Sequence, residues 1–442
     1  MKTARQLAVD VLLKVEKDAA YSVIALDQAV KAAKLSGADA SFAAALVYGV
    51  LERQITLDAI IGQYVKKGVR ALDREILILL RMGVYQLCFM DGVPARAAIN
   101  ETVSLVPYVK KTSARGMVNA ILRNVQRAGA DVLSFSKNYA PIKRLSVETS
   151  CPVWLLKQWE AQYSRADAES MAKAALERPP LYARVNPLKA NADTLCDMLA
   201  RQGVTAQKHE WIENCVVLSD TGSLLRLDAF RDGWFHIQDA ASQLCAQALG
   251  AQPGDTVLDV CAAPGSKSFT IAQQMNNQGV VHAFDLYEHK CRLIEEGAHR
   301  LGLSIVDASV RDARTGDDLP LADRILCDVP CSGLGILRRK PEIRFKDPAS
   351  FADLPKLQYE ILSHSAKNLK PGGVLVYSTC TTNKAENEDV ILRFLSENNW
   401  AAPLNLSEKF GKIDFIQDFM AVLLPHQTNT DGFFFAAMTR RE

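Results

Sequence analysis

Residues 256–267 read Thr-Val-Leu-Asp259-Val-Cys261-Ala262-Ala263-Pro264-Gly265-Ser266-Lys267. An apolar strand of Thr256–Val260 carries an acid near its end, small residues follow, and a helix begins near Ser266 or Lys267. Strand, tight loop and helix in immediate succession open a βαβ unit. The same alternation continues downstream. Strand Val280–Asp285 precedes a helix to Leu301, and strand Ser304–Val310 follows. Strand Arg324–Asp328 leads through a long loop to a helix near Pro355–Leu369, and strand Val374–Ser378 leads to a helix from Ala385. The last apolar run is Phe433–Met438. This spacing predicts an α/β domain over residues 239–442, with a parallel sheet covered by helices on both faces.

Upstream of 239 the pattern changes. Residues 181–238 mix short strands (Leu181–Asn186, Val216–Leu218, Trp234–Ile237) with a helix near Ala192–Gln202, a small α+β unit. Residues 141–180 read as a helical linker, with stretches Val153–Tyr163 and Arg165–Leu176 ended by Pro179-Pro180. Residues 1–140 show helical spacing alone, as in Leu7, Val11, Leu12 and Val15. The run from Ile76 to Leu87 is apolar on most faces and should be the central helix of an all-α domain.

The 442 residues carry a net charge of only +2, but the charge is divided. Residues 1–145 hold 21 Lys/Arg against 12 Asp/Glu, and the remainder is net −7. A basic helical end suits an anionic partner, although a solvated helical surface has the same composition. No apolar run approaches the roughly 18 residues of a membrane span. Asp10 and Lys14 interrupt any leader-like segment, so a cytoplasmic location and no membrane partner are expected. The ten cysteines are dispersed and form no Cys-x-x-Cys pair, which argues for reduced thiols and against a metal site.

In a doubly wound sheet, ligands bind at the carboxyl ends of the strands. Asp259, Asp285, Asp312, Asp328 and Cys380 all fall there. The loop Cys261–Lys267 is small enough for close approach, and Gly265 tolerates positive φ. A helix starting near Ser266 would aim N–H groups at a carboxylate. Asp285 stands where an acid commonly takes ribose hydroxyls, which points to a nucleoside cofactor of undetermined identity. The spacing is neither Gly-x-Gly-x-x-Gly nor a P-loop. Cys331, three residues after Asp328, and Cys380 suit covalent catalysis, Cys380 also lying before a helix expected near Lys384. By position alone either thiol could be structural. Arg338, Arg339, Lys340, Arg344 and Lys346 form a basic run after Cys331, suited to RNA phosphates or to a solvated loop.

Asp259-x-Cys261-Ala-Ala-Pro-Gly265-x-Lys267, Asp328-x-Pro-Cys331-Ser-Gly333 and Ser378-Thr-Cys380, with Glu386-Asn387-Glu388 downstream, resemble the RNA cytosine-C5 methyltransferases of the NOL1/NOP2/Sun family. Leu337–Arg344 and Ala183-Arg-Val-Asn186 resemble that family too. Val93–Asn100 and Val118–Arg123 resemble the NusB antitermination fold, an RNA-binding helical domain. Ser268 and Thr381 depart from the usual Thr and Ser without touching the assignment.

The resemblance implies a Rossmann-like methyltransferase domain that uses S-adenosylmethionine, preceded by a ferredoxin-like unit at 181–238. Cys261, Ala262, Ala263, Pro264, Gly265, Ser266 and Lys267 would line the methionine and ribose part of the cofactor site. Asp285 would bind the ribose, Asp312 the adenine amino group, and Asp328 would sit between cofactor and base. Cys380 would be the nucleophile and Cys331 would aid product release, although DNA cytosine methyltransferases use a Pro-Cys loop as nucleophile. The domain arrangement implies 16S (small-subunit) rRNA, unassembled or partly assembled, as the partner; separately, a monomer is expected. The same chemistry on tRNA, a non-catalytic NusB-like RNA-binding factor and a nucleotide-dependent oxidoreductase are the rival readings.

Overall fold

Strands that are apolar along their whole length must be covered on both faces. The structure, a computed structural model that describes every residue except 1, 19, 316–318 and 412, shows this for residues 256–440. Strands β1 (Leu181–Val185), β2 (Thr205–Lys208), β3 (Cys215–Ser219) and β4 (Phe235–Ile237) form a small antiparallel sheet in the order β2-β3-β1-β4. Strands β5 (Thr256–Asp259), β6 (Val280–Asp285), β7 (Val306–Val310), β8 (Ala322–Asp328), β9 (Leu369–Thr379), β10 (Ala401–Pro403), β11 (Ile416–Gln417), β12 (Met420–Leu423) and β13 (Phe433–Arg440) form the large one. Its order is β11-β12-β13-β9-β8-β5-β6-β7, with β10 paired to β13.

Side chains alternate between two cores. Val257, Leu326, Val376 and Phe435 face the helices Ala240–Leu249, Ser266–Gln274 and Glu288–Leu301. Leu258, Ile325, Cys327, Leu375, Tyr377 and Phe434 face Leu354–Ser365 and Glu388–Glu397. From β7 to β9 the neighbours are parallel. The sheet is not parallel throughout, because β13 pairs antiparallel with both β9 and β12. The strand order turns at β5 and β8, so the crevice of the switch point lies at their carboxyl ends.

The chain folds as two units: residues 1–177 with 337–346, and residues 178–336 with 347–442. In the helical unit the central helix is Arg74–Cys88, whose Ile76, Leu77, Ile78, Leu79, Leu80, Met82 and Val84 are buried. Buried Arg81 on this helix is held by both oxygens of Asp58 at 2.7 and 2.8 Å and by Glu16 at 3.1 Å. Pro94 is followed directly by the helix Ala95–Ser104. Among the described residues no helix is long and apolar enough to cross a membrane.

Candidate active site

The loop after β5 is built as its residue sizes require. Gly265 has φ +103°, and a Cβ there would lie 2.4 Å from Cζ of Phe269. Glycine is therefore needed both for the backbone and for the ring that packs beneath it. Gly265 also caps the helix Ser266–Gln274, which has no side-chain cap at its start. Its first-turn N–H groups therefore lack that common partner. Burial pushes the Cys261 thiol well above its ordinary range, so it is kept as an unreactive thiol. Asp259, expected at the ligand edge, is instead fully buried and accepts a 2.6 Å bond from Ser268 Oγ. Burial pushes its carboxyl up to about 7. It braces strand against helix and does not face a ligand.

Asp285 ends β6 with 7% exposure. It accepts from Tyr287 N at 3.3 Å and lies 3.2 Å from Lys290 Nζ. Asp312 follows β7, where Arg314 grips both of its oxygens at 2.9 and 2.6 Å. Those bonds hold its carboxyl down at about 2. The strand order places Asp312, Asp285, the Cys261 loop, Asp328 and Cys380 along one edge of the sheet.

Strands β8 and β9 bring the reactive groups together. Their register sets Asp328 beside Ser378, whose Oγ donates to Asp328 Oδ1 at 2.7 Å. Lys267 Nζ reaches Asp328 Oδ2 at 2.6 Å and lies 5.1 Å from the centroid of the Phe433 ring. Burial works against the Lys267 cation, but the Asp328 carboxylate outweighs it and holds the ammonium above its usual value. Beyond these strand ends, Cys331 Sγ and Cys380 Sγ stand 3.3 Å apart. That is a thiol–thiol contact, since a disulfide needs about 2.05 Å. The bond to Cys380, burial and the Glu386 carboxylate push the Cys331 thiol well above its ordinary range.

One reason given for a reactive Cys380 does not hold. A single 3-10 turn, Lys384–Glu386, comes next, and the α-helix begins only at Glu388. Cys380 is therefore not at a helix N-terminus. Its surroundings are hydrogen-bonded loops. Glu386 accepts from Ser332 N at 2.8 Å and Ser332 Oγ at 2.6 Å, and Thr381 Oγ1 meets Ser332 Oγ at 2.7 Å. Asn387 accepts from Thr379 Oγ1 at 2.6 Å and donates to Thr381 O at 3.0 Å. The motif Glu386-Asn387 was legible, but its work of joining the two thiol loops was not.

The basic run after Cys331 needs a larger correction. Residues 337–346 belong to the helical unit. Arg344 has 1% exposure, and its guanidinium donates to Glu52 O, Ser150 O and Ala175 O at 2.9, 3.2 and 3.3 Å. Arg338 has 5% exposure. Neither presents its charge to solvent as a phosphate contact requires. Arg339 and Lys340 are half-buried, and Lys340 Nζ lies 5.1 Å from the centroid of the exposed Tyr21 ring.

The Rossmann-like sheet carries a switch-point loop of small residues with two facing thiols beside it, and the family comparisons make it a methyltransferase. The model described as "16S rRNA methyltransferase RsmB/F" matches residues 246–439. The NusB family matches 2–127, and the ferredoxin-like domain of RsmF/B-like methyltransferases matches 151–224. The chain is 38% identical to the probable ribosomal RNA small subunit methyltransferase B of Bacillus subtilis, over 99% of both chains. It is 34% identical to ribosomal RNA small subunit methyltransferase B of Pseudomonas syringae pv. tomato, over 89% of this chain and 88% of that one. A solved methyltransferase homologue from Pyrococcus horikoshii aligns with TM-score 0.58 and 28% identity, over 68% of this chain and all of that one. The solved structure of PH0851 shares the fold, with TM-score 0.82 and 24% identity over 100% of this chain and 99% of that one. The chain belongs to the ribosomal RNA small subunit methyltransferase B family, and it is an enzyme.

Proposed function

We propose that this chain methylates C5 of a cytosine in 16S rRNA, using S-adenosylmethionine and a covalent thiol adduct. The observation that carries the reading is the pair of thiols 3.3 Å apart beside Asp328. Two sulfurs in contact at a ligand edge suit a nucleophile with a proton donor next to it. The uncapped helix start at Ser266 fits the cofactor's carboxylate, and Asp285 and Asp312 fit its ribose and adenine. Cys261–Lys267 would line the methionine and ribose part. When bound, S-adenosylmethionine supplies a methyl group on a sulfonium.

Cytosine C5 is a weak nucleophile. Addition of the Cys380 thiolate to C6 moves the C5–C6 electron pair into an enamine-like system, which makes C5 reactive. Asp328, held by Lys267 and Ser378, accepts a hydrogen bond from the base's amino group. Once C5 carries the methyl group, its proton passes to solvent, the C5–H electron pair re-forms the C5–C6 double bond, and the C6–S bond breaks so that its electron pair stays on the Cys380 sulfur. Cys331, whose thiol is pushed above its usual range, stays protonated and gives its S–H to the departing Cys380 sulfur. The base must be unstacked to enter, at a few kcal/mol, less in a loop. We assign RNA phosphates to Arg339 and Lys340 and withdraw that role from Arg338 and Arg344. The ten free thiols suit the reducing cytoplasm, and unassembled or partly assembled small-subunit RNA is the substrate we favour.

Cys380→Ala should abolish methyl transfer and leave no covalent RNA adduct. Cys331→Ala should accumulate a protein–RNA adduct that survives a denaturing gel. Swapped phenotypes would reverse the two roles, and no adduct from either would remove the covalent step. Bisulfite sequencing of RNA from a deletion strain should show one 16S rRNA methylcytosine lost. Loss from tRNA instead would move the substrate.

A further inference from the structure

Glu386 is a fully buried carboxylate whose four hydrogen-bonding side-chain and backbone partners are neutral. Ser332 N and Gln358 Nε2 donate to Oε2 at 2.8 and 3.0 Å, and Ser332 Oγ and Asn383 Nδ2 donate to Oε1 at 2.6 and 3.0 Å. Burying an anion without a counter-ion is unfavourable unless several donors satisfy it, and an apolar residue would fill the same space at less cost. The donors come from three separate stretches of chain. Ser332 follows Cys331 directly, Asn383 lies just past Cys380, and Gln358 sits on the helix Leu354–Ser365. Gln358 Nε2 also donates to Pro330 O at 2.9 Å, on the other side of Cys331. The backbone closes the same bracket, since Gly335 N donates to Cys380 O at 3.0 Å. Tyr377 Oη donates to the Glu386 carbonyl at 2.5 Å, tying the bracket to β9.

We propose that Glu386 is a positioning residue of the reaction: it clamps the Cys331 loop to the Cys380 loop and so sets the sulfur–sulfur contact through which Cys331 releases the product. This rests on the covalent reading above. The negative charge has a second effect in the same direction, because it is among the causes that keep the Cys331 thiol protonated. Clamp and charge together give the two thiols different tasks in spite of their proximity. Without the clamp Cys331 is free to leave Cys380, and the adduct loses its proton donor.

Glu386→Gln keeps the volume and removes the charge. Displacing a reacting group by an ångström lowers a rate by roughly ten- to a hundred-fold. We expect kcat to fall by that amount and the RNA KM to fall with it, so that kcat/KM stays within about two-fold, because the slowed step follows formation of the adduct. The distinguishing sign is a protein–RNA adduct that accumulates, a partial copy of Cys331→Ala. A folded E386Q enzyme with wild-type kcat and no adduct overturns the proposal. Ser332→Ala removes the hydroxyl donor and leaves the backbone one, and should show the same adduct to a smaller extent. Should E386Q fail to fold, Ser332→Ala decides alone, and wild-type turnover without adduct refutes the clamp. Alkylation of Cys331 by iodoacetamide, followed by mass spectrometry, needs no RNA. It should speed up in E386Q relative to wild type, so a failed covalent reading and a failed clamp are told apart.

Discussion

Lys267 and Arg344 are both cations taken almost out of water, with 8% and 1% exposure. Lys267 is met by the Asp328 carboxylate at 2.6 Å, and Arg344 by three backbone carbonyls at 2.9 to 3.3 Å. The first arrangement keeps a full opposite charge at the edge where ligands enter. The second spreads one charge over fixed dipoles inside a helical scaffold. A buried ion pair persists only with good geometry and further hydrogen bonds, and Ser378 supplies one to Asp328. A ligand can exchange with a counter-ion but not with a carbonyl built into a helix end. We therefore read the cation paired with Asp328 at the end of β8 as part of the proposed site, and the cation held by carbonyls as framework.

The sharpest way to break that contrast is at Arg344. Arg344→Met leaves three carbonyls without their donor and should destabilise the helical unit by about 3–5 kcal/mol. A chain of two units need not melt in one step, so amide exchange within residues 1–177 is the suitable readout. Unchanged exchange, with a salt dependence of RNA binding shallower by about one phosphate contact, would return Arg344 to the RNA surface. Lys267→Met should act less on stability and more on turnover. It strands Asp328, whose side chain is 26% exposed and keeps its Ser378 bond, so the loss should be about 2–3 kcal/mol. Methyl transfer should fall roughly a hundred-fold through the displaced carboxylate. Calorimetry beside single-turnover rates checks both, and a variant that loses stability but not rate would make Lys267 framework too.

The regular βα alternation from Thr256 onward was legible because each strand is a short apolar run followed by a polar helix. Strand β2 was not, since Thr205–Lys208 is a largely exposed edge strand with no apolar face to read. The antiparallel edge was hidden for another reason. A buried run such as Phe433–Met438 has the same composition whichever way it pairs, and its direction depends on the β12 hairpin. At the site, Asp328, Cys331 and Cys380 were legible from strand-end position, which fixes location without needing a partner. The work of Glu386 was not, because Ser332 on the Cys331 loop and Gln358 on the helix Leu354–Ser365 approach it from outside its own stretch, and a Glu in a polar stretch ordinarily reads as solvated. Arg344 failed in the same way, since its carbonyl partners lie 169 to 292 residues away.

The smallest effect belongs to a third charged group, Asp312, which tests how far exposure weakens the ion pair seen at Lys267. Arg314 grips Asp312 with two bonds, but the side chains are 46% and 27% exposed. The folded carboxyl stands at about 2, below its ordinary 3.8. A carboxyl depressed on folding contributes stability that is complete above the ordinary value and is lost as pH falls through about 2. Solvent screening at this exposure keeps the contribution under about 1 kcal/mol. Arg314→Leu should therefore move the Asp312 carboxyl titration, followed by carbon NMR, up toward 3.8 with little change in stability at neutral pH. It should leave S-adenosylmethionine binding intact or tighter, because both Asp312 oxygens are then released. Asp312→Asn should weaken binding about five-fold, the worth of one hydrogen bond. If Arg314→Leu weakens binding as much as Asp312→Asn does, the pair acts as a unit, and the exposed pair resembles Lys267–Asp328 in kind as well as in geometry.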